Sequence, residues 1–183
     1  MACVASVNYR VRRVVLALLL LSLLPSAGLV AKAQKQESPG PPASPTGAKN
    51  FDEAANAALL AMRQRAGELG ISGVAVVAYF EGDSIQSWSS KMLVVGRMKD
   101  DPSATSKGSN LLAIAYSKAA EMADTLKDSG SQVRPPMTGE VGWTGGVILR
   151  GKTGYVIAAF SGGKSEDDVK VSQAGVEVLK SKL

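Results

Sequence analysis

The sequence predicts an α+β domain in which helices cover an antiparallel β-sheet. Two observations favour this fold class. Three segments place apolar residues at the three-and-four spacing of an amphipathic helix, and the β-branched segments between them are joined by short turns. Strands that follow one another through short turns pair in antiparallel fashion, so we expect helices to cover one sheet in two or three layers.

The predicted elements follow in the order helix, strands, helix, hairpin, helix. Helical periodicity predicts helices at residues 51–69, 109–127 and about 166–180. β-Branched and aromatic residues predict a strand at 71–80, with one or two more at 85–98. A hairpin follows, in which strands at 146–150 and 155–160 flank a Gly-Lys-Thr-Gly turn.

The first 33 residues have the pattern of a secretory signal peptide. Arg10, Arg12 and Arg13 precede a largely apolar run at 14–24, and residues 31–33 place alanines where a signal peptidase reads them. The apolar run is shorter than the roughly 20 residues of a membrane-spanning helix. We therefore expect cleavage after residue 33 and export to the periplasm or the cell exterior. A retained membrane anchor is the alternative.

Residues 34–49 predict a disordered linker, because they are rich in Pro, Gly and Ser and contain no large apolar side chain. The remaining residues, 50–183, are sufficient for one domain with a single core.

Signal cleavage would also remove most of the excess positive charge. The chain has 21 Lys and Arg against 16 Asp and Glu, a formal net charge of +5. Four of the basic residues lie within residues 1–33, so the mature chain would have 17 basic and 16 acidic residues. We therefore expect no nucleic-acid-binding surface. Because cleavage also removes the apolar run at 14–24, we expect no membrane span in the mature chain.

The residue inventory limits the chemistry that the chain can perform. Cys3 is the only cysteine and lies within the signal peptide, and the chain has no histidine. This excludes a Ser-His-Asp arrangement and imidazole ligands to a metal or haem. Carboxylates, tyrosines and methionine thioethers remain as donors. Met98 and Met137 are the methionines best placed near a ligand, because Met62 and Met122 lie on apolar helix faces.

Two glycine-containing segments are candidate anion sites. Residues 146–153 match the P-loop expression G-x-x-x-x-G-K-[ST], but strands flank them, so a hairpin turn is the better interpretation. Residues 161–165 run from a strand into a helix N-terminus, where amides beside Lys164 favour a small carboxylate or a propionate. Acidic side chains at 166–168 would repel a polyphosphate there. A tight strand-to-helix turn is the alternative.

Several motifs occur in a fixed order across residues 52–180: Gly73-Val74-Ala75-Val76-Val77, Gly96-Arg97-Met98, Lys118-Ala119, Gly145-Gly146-Val147 and Ser161-Gly162-Gly163. Their order and spacing resemble the GlcG/HbpS-like family. This family is often described as haem-degrading or haem-binding, and it includes the C-terminal domain of PduO-type cobalamin adenosyltransferases.

The resemblance implies a profilin-like α/β/α domain with a five-stranded antiparallel sheet, assembled as a dimer or larger homo-oligomer. It also implies a haem or corrinoid ligand, held here by Met or Tyr donors or by hydrophobic and propionate contacts. We expect Arg97 and Lys118 to pair with ligand carboxylates. The full predicted ligand site is Arg97, Met98, Lys118, Gly145, Gly146, Ser161, Gly162 and Gly163.

The leading functional hypothesis is an exported ligand-binding domain, with haem or a related tetrapyrrole as its ligand and without intrinsic catalysis. The first alternative is an enzyme on a small or tetrapyrrole substrate, which would need a bound cofactor or metal because the mature chain lacks His and Cys. The second alternative is a structural or interaction protein of the cell envelope.

Overall fold

In the computed structural model, which describes residues 48–183, three helices cover the two faces of a four-stranded antiparallel sheet. The predicted signal peptide and residues 34–47 of the predicted linker lie outside the described residues. The first helix begins at Ala48, two residues before the predicted start of the domain.

The helices and the four strands of the main sheet lie close to their predicted positions, with helix ends shifted by three residues or fewer. Their bounds are α1 Ala48–Glu68, β1 Gly73–Glu81, β2 Ser89–Val95, β3 Lys99–Asp100, β4 Ser109–Asn110, α2 Leu111–Thr125, β5 Gly146–Arg150, β6 Gly154–Ser161 and α3 Ser165–Lys182. The predicted hairpin is confirmed as β5 and β6. Asn110 caps α2, because its side chain accepts a hydrogen bond from the Ala113 amide at 3.0 Å.

The main sheet has the strand order β2-β1-β6-β5, and every neighbouring pair is antiparallel. The fifth strand that the family resemblance implied is not present in this sheet. After β2 the chain turns away at Gly96, whose φ of +80° suits glycine. Strands β3 and β4 then pair with each other in a separate two-stranded ladder.

The sheet is buried on both faces. Alternate residues of β1 contact different helices: Ala75, Val77 and Tyr79 belong to the core with α1 and α3, whereas Val76 and Phe80 belong to the core with α2. The central strand β1 therefore reads as a continuous apolar run, as expected for a strand covered on both sides. The fold is a three-layer α/β/α arrangement. Within residues 48–183 no helix is both long and apolar enough to cross a membrane.

The contact between α1 and α3 depends on a glycine. A Cβ atom at Gly175 would lie 2.5 Å from Met62 Sδ and 2.6 Å from Met62 Cγ, and Met62 is fully buried. We predict that Gly175→Val lowers the free energy of unfolding by about 1–3 kcal/mol, because the added side chain overpacks this contact. Urea unfolding measures the change.

The matched control is Gly67→Val on α1, where a Cβ atom meets nothing within 4 Å. This exposed substitution should change the free energy of unfolding by no more than about 0.5 kcal/mol. Equal effects at the two glycines would contradict the packing of α3 against Met62.

Candidate functional site

A buried ion pair between α2 and α3 lies at the centre of the predicted site. Lys118 Nζ donates to Asp168 Oδ2 at 2.9 Å and to the carbonyl oxygen of Phe160 at 2.8 Å. The two charged side chains are only 2% and 5% exposed. Lys118 therefore crosses from the α2 side of the sheet and joins α2, the end of β6 and the first turn of α3.

Burial dominates the protonation equilibria of this pair. Desolvation lowers the pKa of Lys118, and it raises the pKa of Asp168, in each case against the attraction of the partner. Both shifts disfavour the charged forms. The pair is therefore costly to bury, and its value lies in fixing the elements that it joins.

Asp168 also occupies the anion position of the predicted glycine loop. Its Oδ1 atom accepts a hydrogen bond from the Gly163 amide at 2.8 Å. Gly145 lies against the same pair: with φ at +133°, its missing Cβ would collide with Lys118 Nζ and lie 2.9 Å from Asp168 Cβ. The Gly145 carbonyl accepts the Ser172 hydroxyl at 2.7 Å. The Asp168 carboxylate therefore accepts the hydrogen bond of a loop amide that the sequence predicts for a bound anion.

Arg97 is likewise bonded within the domain. Its guanidinium donates to Ser72 O at 2.7 Å, to Gly162 O at 2.8 Å and to Asp100 Oδ1 at 2.7 Å. These bonds hold the end of β2 against the start of β1 and the glycine loop. Arg97 and Lys118, predicted to bind ligand carboxylates, both have protein partners here.

An open cleft of about 180 Å³ lies beside the ion pair. It is polar, and Trp143, which is 55% exposed, stands in its wall. Its lining combines four predicted site residues, three hydroxyl-bearing neighbours and two carboxylates that are bonded within the domain: Lys118, Ser161, Gly162, Gly163, Ser109, Thr144, Ser165, Asp100 and Asp168. The structure therefore brings half of the predicted site to one cleft.

The first turn of α3 supplies amide donors next to this cleft. Lys164 precedes α3 without a side-chain cap, and its carbonyl accepts the amides of Asp167 and Asp168. The amides of Ser165 and Glu166 belong to the first turn and have no intrahelical acceptor. Ser165 itself lines the cleft. A small anion in the cleft would meet these donors and the positive end of the helix dipole.

The other predicted residues do not line the cleft. Gly145 contacts Lys118 as described, and Gly146 packs against Met122, where a Cβ would clash. Met98 is 44% exposed, and its carbonyl accepts the Leu111 amide at the start of α2, close to the cleft. Met137 is exposed on the long connection between α2 and β5. The ligand-binding role of all eight predicted residues stays a prediction.

A second cavity, of about 490 Å³, was not predicted from the sequence. It lies between α2 and the connection at 126–145, and Glu121, Gly130 and Arg134 contribute to its wall. Glu121 lies outside the apolar stripe of α2 that packs on the sheet, and it is buried on the side of the helix that the 126–145 connection covers. Helical periodicity therefore gives no signal for its burial. No group of three acidic, Cys or His side chains within residues 48–183 is arranged to hold a metal ion.

Arg134 ties this connection to α2. It donates to Asp124 Oδ2 at 2.6 Å and to Glu140 through both carboxylate oxygens, at 2.7 and 2.8 Å. The two bonds from Arg134 to Glu140, with a further one from the Met137 amide, lower the pKa of Glu140 to about 2.

Comparison with known proteins gives a limited result. No protein-family model matches the chain, and no curated protein sequence matches it. Among the solved structures that resemble it is one described as "Crystal Structure of PduOC:Heme Complex". The two share 18% sequence identity with a TM-score of 0.49, over 69% of this chain and 91% of that chain. A similarity of this size assigns neither family nor ligand.

Breaking the buried pair should be costly. We predict that Lys118→Met lowers the free energy of unfolding by about 3–5 kcal/mol, because Asp168 is left buried without its partner. The double variant Lys118→Met with Asp168→Leu should recover at least half of that loss, since no buried charge remains. Urea unfolding of both variants measures this. Lys99→Met, which removes the exposed pair with Asp101, is the control and should be nearly neutral.

The Glu140 interaction should make stability depend on acid pH. The pKa of Glu140 is depressed from its ordinary value of 4.5, so its contribution is complete above about 4.5 and is lost as the pH falls toward about 2. We predict that Glu140→Gln destabilises the domain at neutral pH and that the difference from wild type shrinks below pH 4.5. Thermal unfolding across this range tests it. A pH-independent difference, or the same behaviour in the exposed control Glu177→Gln, would refute the assignment.

Proposed function

We propose that this domain is a small-molecule-binding domain, and that its ligand presents a carboxylate to the cleft beside the Lys118–Asp168 pair. The observation that carries the proposal is the cleft itself, where uncapped first-turn amides of α3 adjoin serine and threonine hydroxyls. Because Lys118 and Arg97 are bonded internally, recognition falls to these amides and hydroxyls rather than to a free cation.

The size of the cleft limits the ligand. Sites that enclose drug-sized molecules have volumes of roughly 300–1,000 Å³. At about 180 Å³ the cleft holds a small organic acid or one arm of a larger molecule. A haem or corrinoid ring does not fit inside it.

A tetrapyrrole lying across the mouth of the cleft is the second candidate, favoured by two exposed side chains. Trp143 is 55% exposed in the cleft wall and Met98 is 44% exposed nearby, so an apolar ring would find an indole and a thioether there. A propionate could then reach the amides of α3. The donor set fits a haem iron poorly, because the chain has no histidine and its exposed thioethers are solvent-facing.

Three further properties belong to the same proposal. The signal-peptide pattern of residues 1–33 supports action outside the cytoplasm. The family resemblance supports self-association as a dimer or larger oligomer, which light scattering of the purified protein measures. Binding without catalysis is proposed because the mature chain lacks the usual nucleophiles and bases, Cys and His. Turnover of haem by intact but not denatured protein would favour the enzyme alternative instead.

Substitution at Ser165 tests the cleft. Ser165 is exposed and lines the cleft, so Ser165→Phe should fill it without disturbing the core. We predict that propionate quenches Trp143 fluorescence in a saturable way, and that Ser165→Phe weakens this binding at least about tenfold. Ser181→Phe, an exposed serine near the other end of α3, is the matched control and should bind as wild type does.

Haemin separates the two ligand classes. A shifted Soret band that is lost in Met98→Ala and Trp143→Ala would support the tetrapyrrole candidate. Propionate binding with an unshifted Soret band would support the small acid. Failure of both probes to give a saturable response in the wild-type protein would contradict ligand binding at this cleft.

A further inference from the structure

The cavity between α2 and the 126–145 connection contains an unsatisfied buried acceptor. Glu121 is 6% exposed, and its Oε1 atom accepts the Gly130 amide at 2.8 Å. Its Oε2 atom is buried and has no hydrogen-bond partner. Buried carboxylate oxygens are normally paired, since an unpaired one costs free energy. Here the unpaired atom belongs to a side chain in the wall of a cavity of about 490 Å³.

Arg134, the cation in the same cavity wall, has no N–H group left to donate to Glu121 Oε2. Arg134 has five N–H donors, and all five are used: two bind Asp124, two bind Glu140 and one binds the Pro135 carbonyl. The Arg134 guanidinium is already shared by the carboxylates of Asp124 and Glu140, and Glu121 in the same cavity wall adds a third carboxylate. The local balance of charge is negative and favours a further cation.

The rest of the wall is suited to an apolar body. Val133, Pro135 and Pro136 line the cavity, and Val133 is 58% exposed. The volume lies within the range of sites that take small organic molecules. A ligand with a hydrocarbon portion and one cationic N–H donor matches this combination of an apolar wall and a lone acceptor.

We propose that this cavity is a second binding site, distinct from the cleft beside Lys118. It takes a small organic ammonium ion whose N–H group donates to Glu121 Oε2 once that side chain turns toward the cavity, since the atom has almost no accessible surface in this structure. The apolar part of the ligand lies against Val133, Pro135 and Pro136. Binding would give Glu121 its missing partner and would hold the connection against α2.

Benzylamine is a suitable probe, because it combines an ammonium group with a small apolar ring, and benzyl alcohol is its neutral counterpart. In ¹H–¹⁵N NMR titrations of the wild-type protein, we expect benzylamine to shift the amides of Gly130 and Gln132 saturably. Glu121→Gln keeps the shape of the side chain and removes its charge. It should weaken benzylamine binding at least about tenfold, as expected for loss of a charge-assisted hydrogen bond.

Three results would overturn the proposal. These are no saturable shift with benzylamine, equal affinity for benzyl alcohol, or equal affinity in wild type and Glu121→Gln. The exposed variant Glu177→Gln controls for net charge and should bind normally. If Glu121→Gln fails to fold, Val133→Lys decides instead: the substituted residue is exposed, and its new charge should weaken benzylamine binding to a similar extent. Unchanged binding in that variant would also refute the site.

Discussion

The ion pair between Lys118 and Asp168 is the constraint on which the rest of this structure depends. It connects helices that lie on opposite faces of the sheet, and it does so at the point where β6 ends and α3 begins. The same two side chains bind the Phe160 carbonyl and the Gly163 amide. Because burial disfavours both charges, the pair is explained better as a device for fixing geometry than as a source of stability.

This constraint also determines what the neighbouring residues can do. A strand-to-helix glycine turn offers an anion site in principle, but here Asp168 supplies the anion from within the chain. Arg97 similarly spans Ser72, Asp100 and Gly162. The groups left to bind a ligand are first-turn amides, hydroxyls and an exposed indole in the cleft beside Lys118. The separate cavity adds the Glu121 carboxylate. These two places carry the proposed binding of small molecules.

The sequence predicted the helices and the hairpin well, because their signals are local. Helical spacing identifies α1, α2 and α3, and the Gly151–Gly154 turn identifies the β5–β6 hairpin. The separate β3–β4 ladder was missed, since two-residue strands carry no periodic pattern. Lys118 and Asp168 are 50 positions apart, so no local pattern could pair them. The resemblance that suggested Lys118 as a ligand contact therefore gave no sign of its internal partner. Nothing in the local pattern indicated that Glu121 is buried against the 126–145 connection.

The most direct test of this account is hydrogen exchange at the two ends of the ion pair, followed by NMR at neutral pH. We expect the Gly163 amide to exchange slowly in the wild-type protein, and the Lys118 ammonium protons to be slow enough to observe, because both groups donate to the buried Asp168 carboxylate. Protection of Gly163 should be lost in Asp168→Leu, which has no oxygen to accept that amide, while the amides of β1 stay protected. Rapid exchange of both groups in the wild type, at the rates of exposed glycine and lysine, would contradict it.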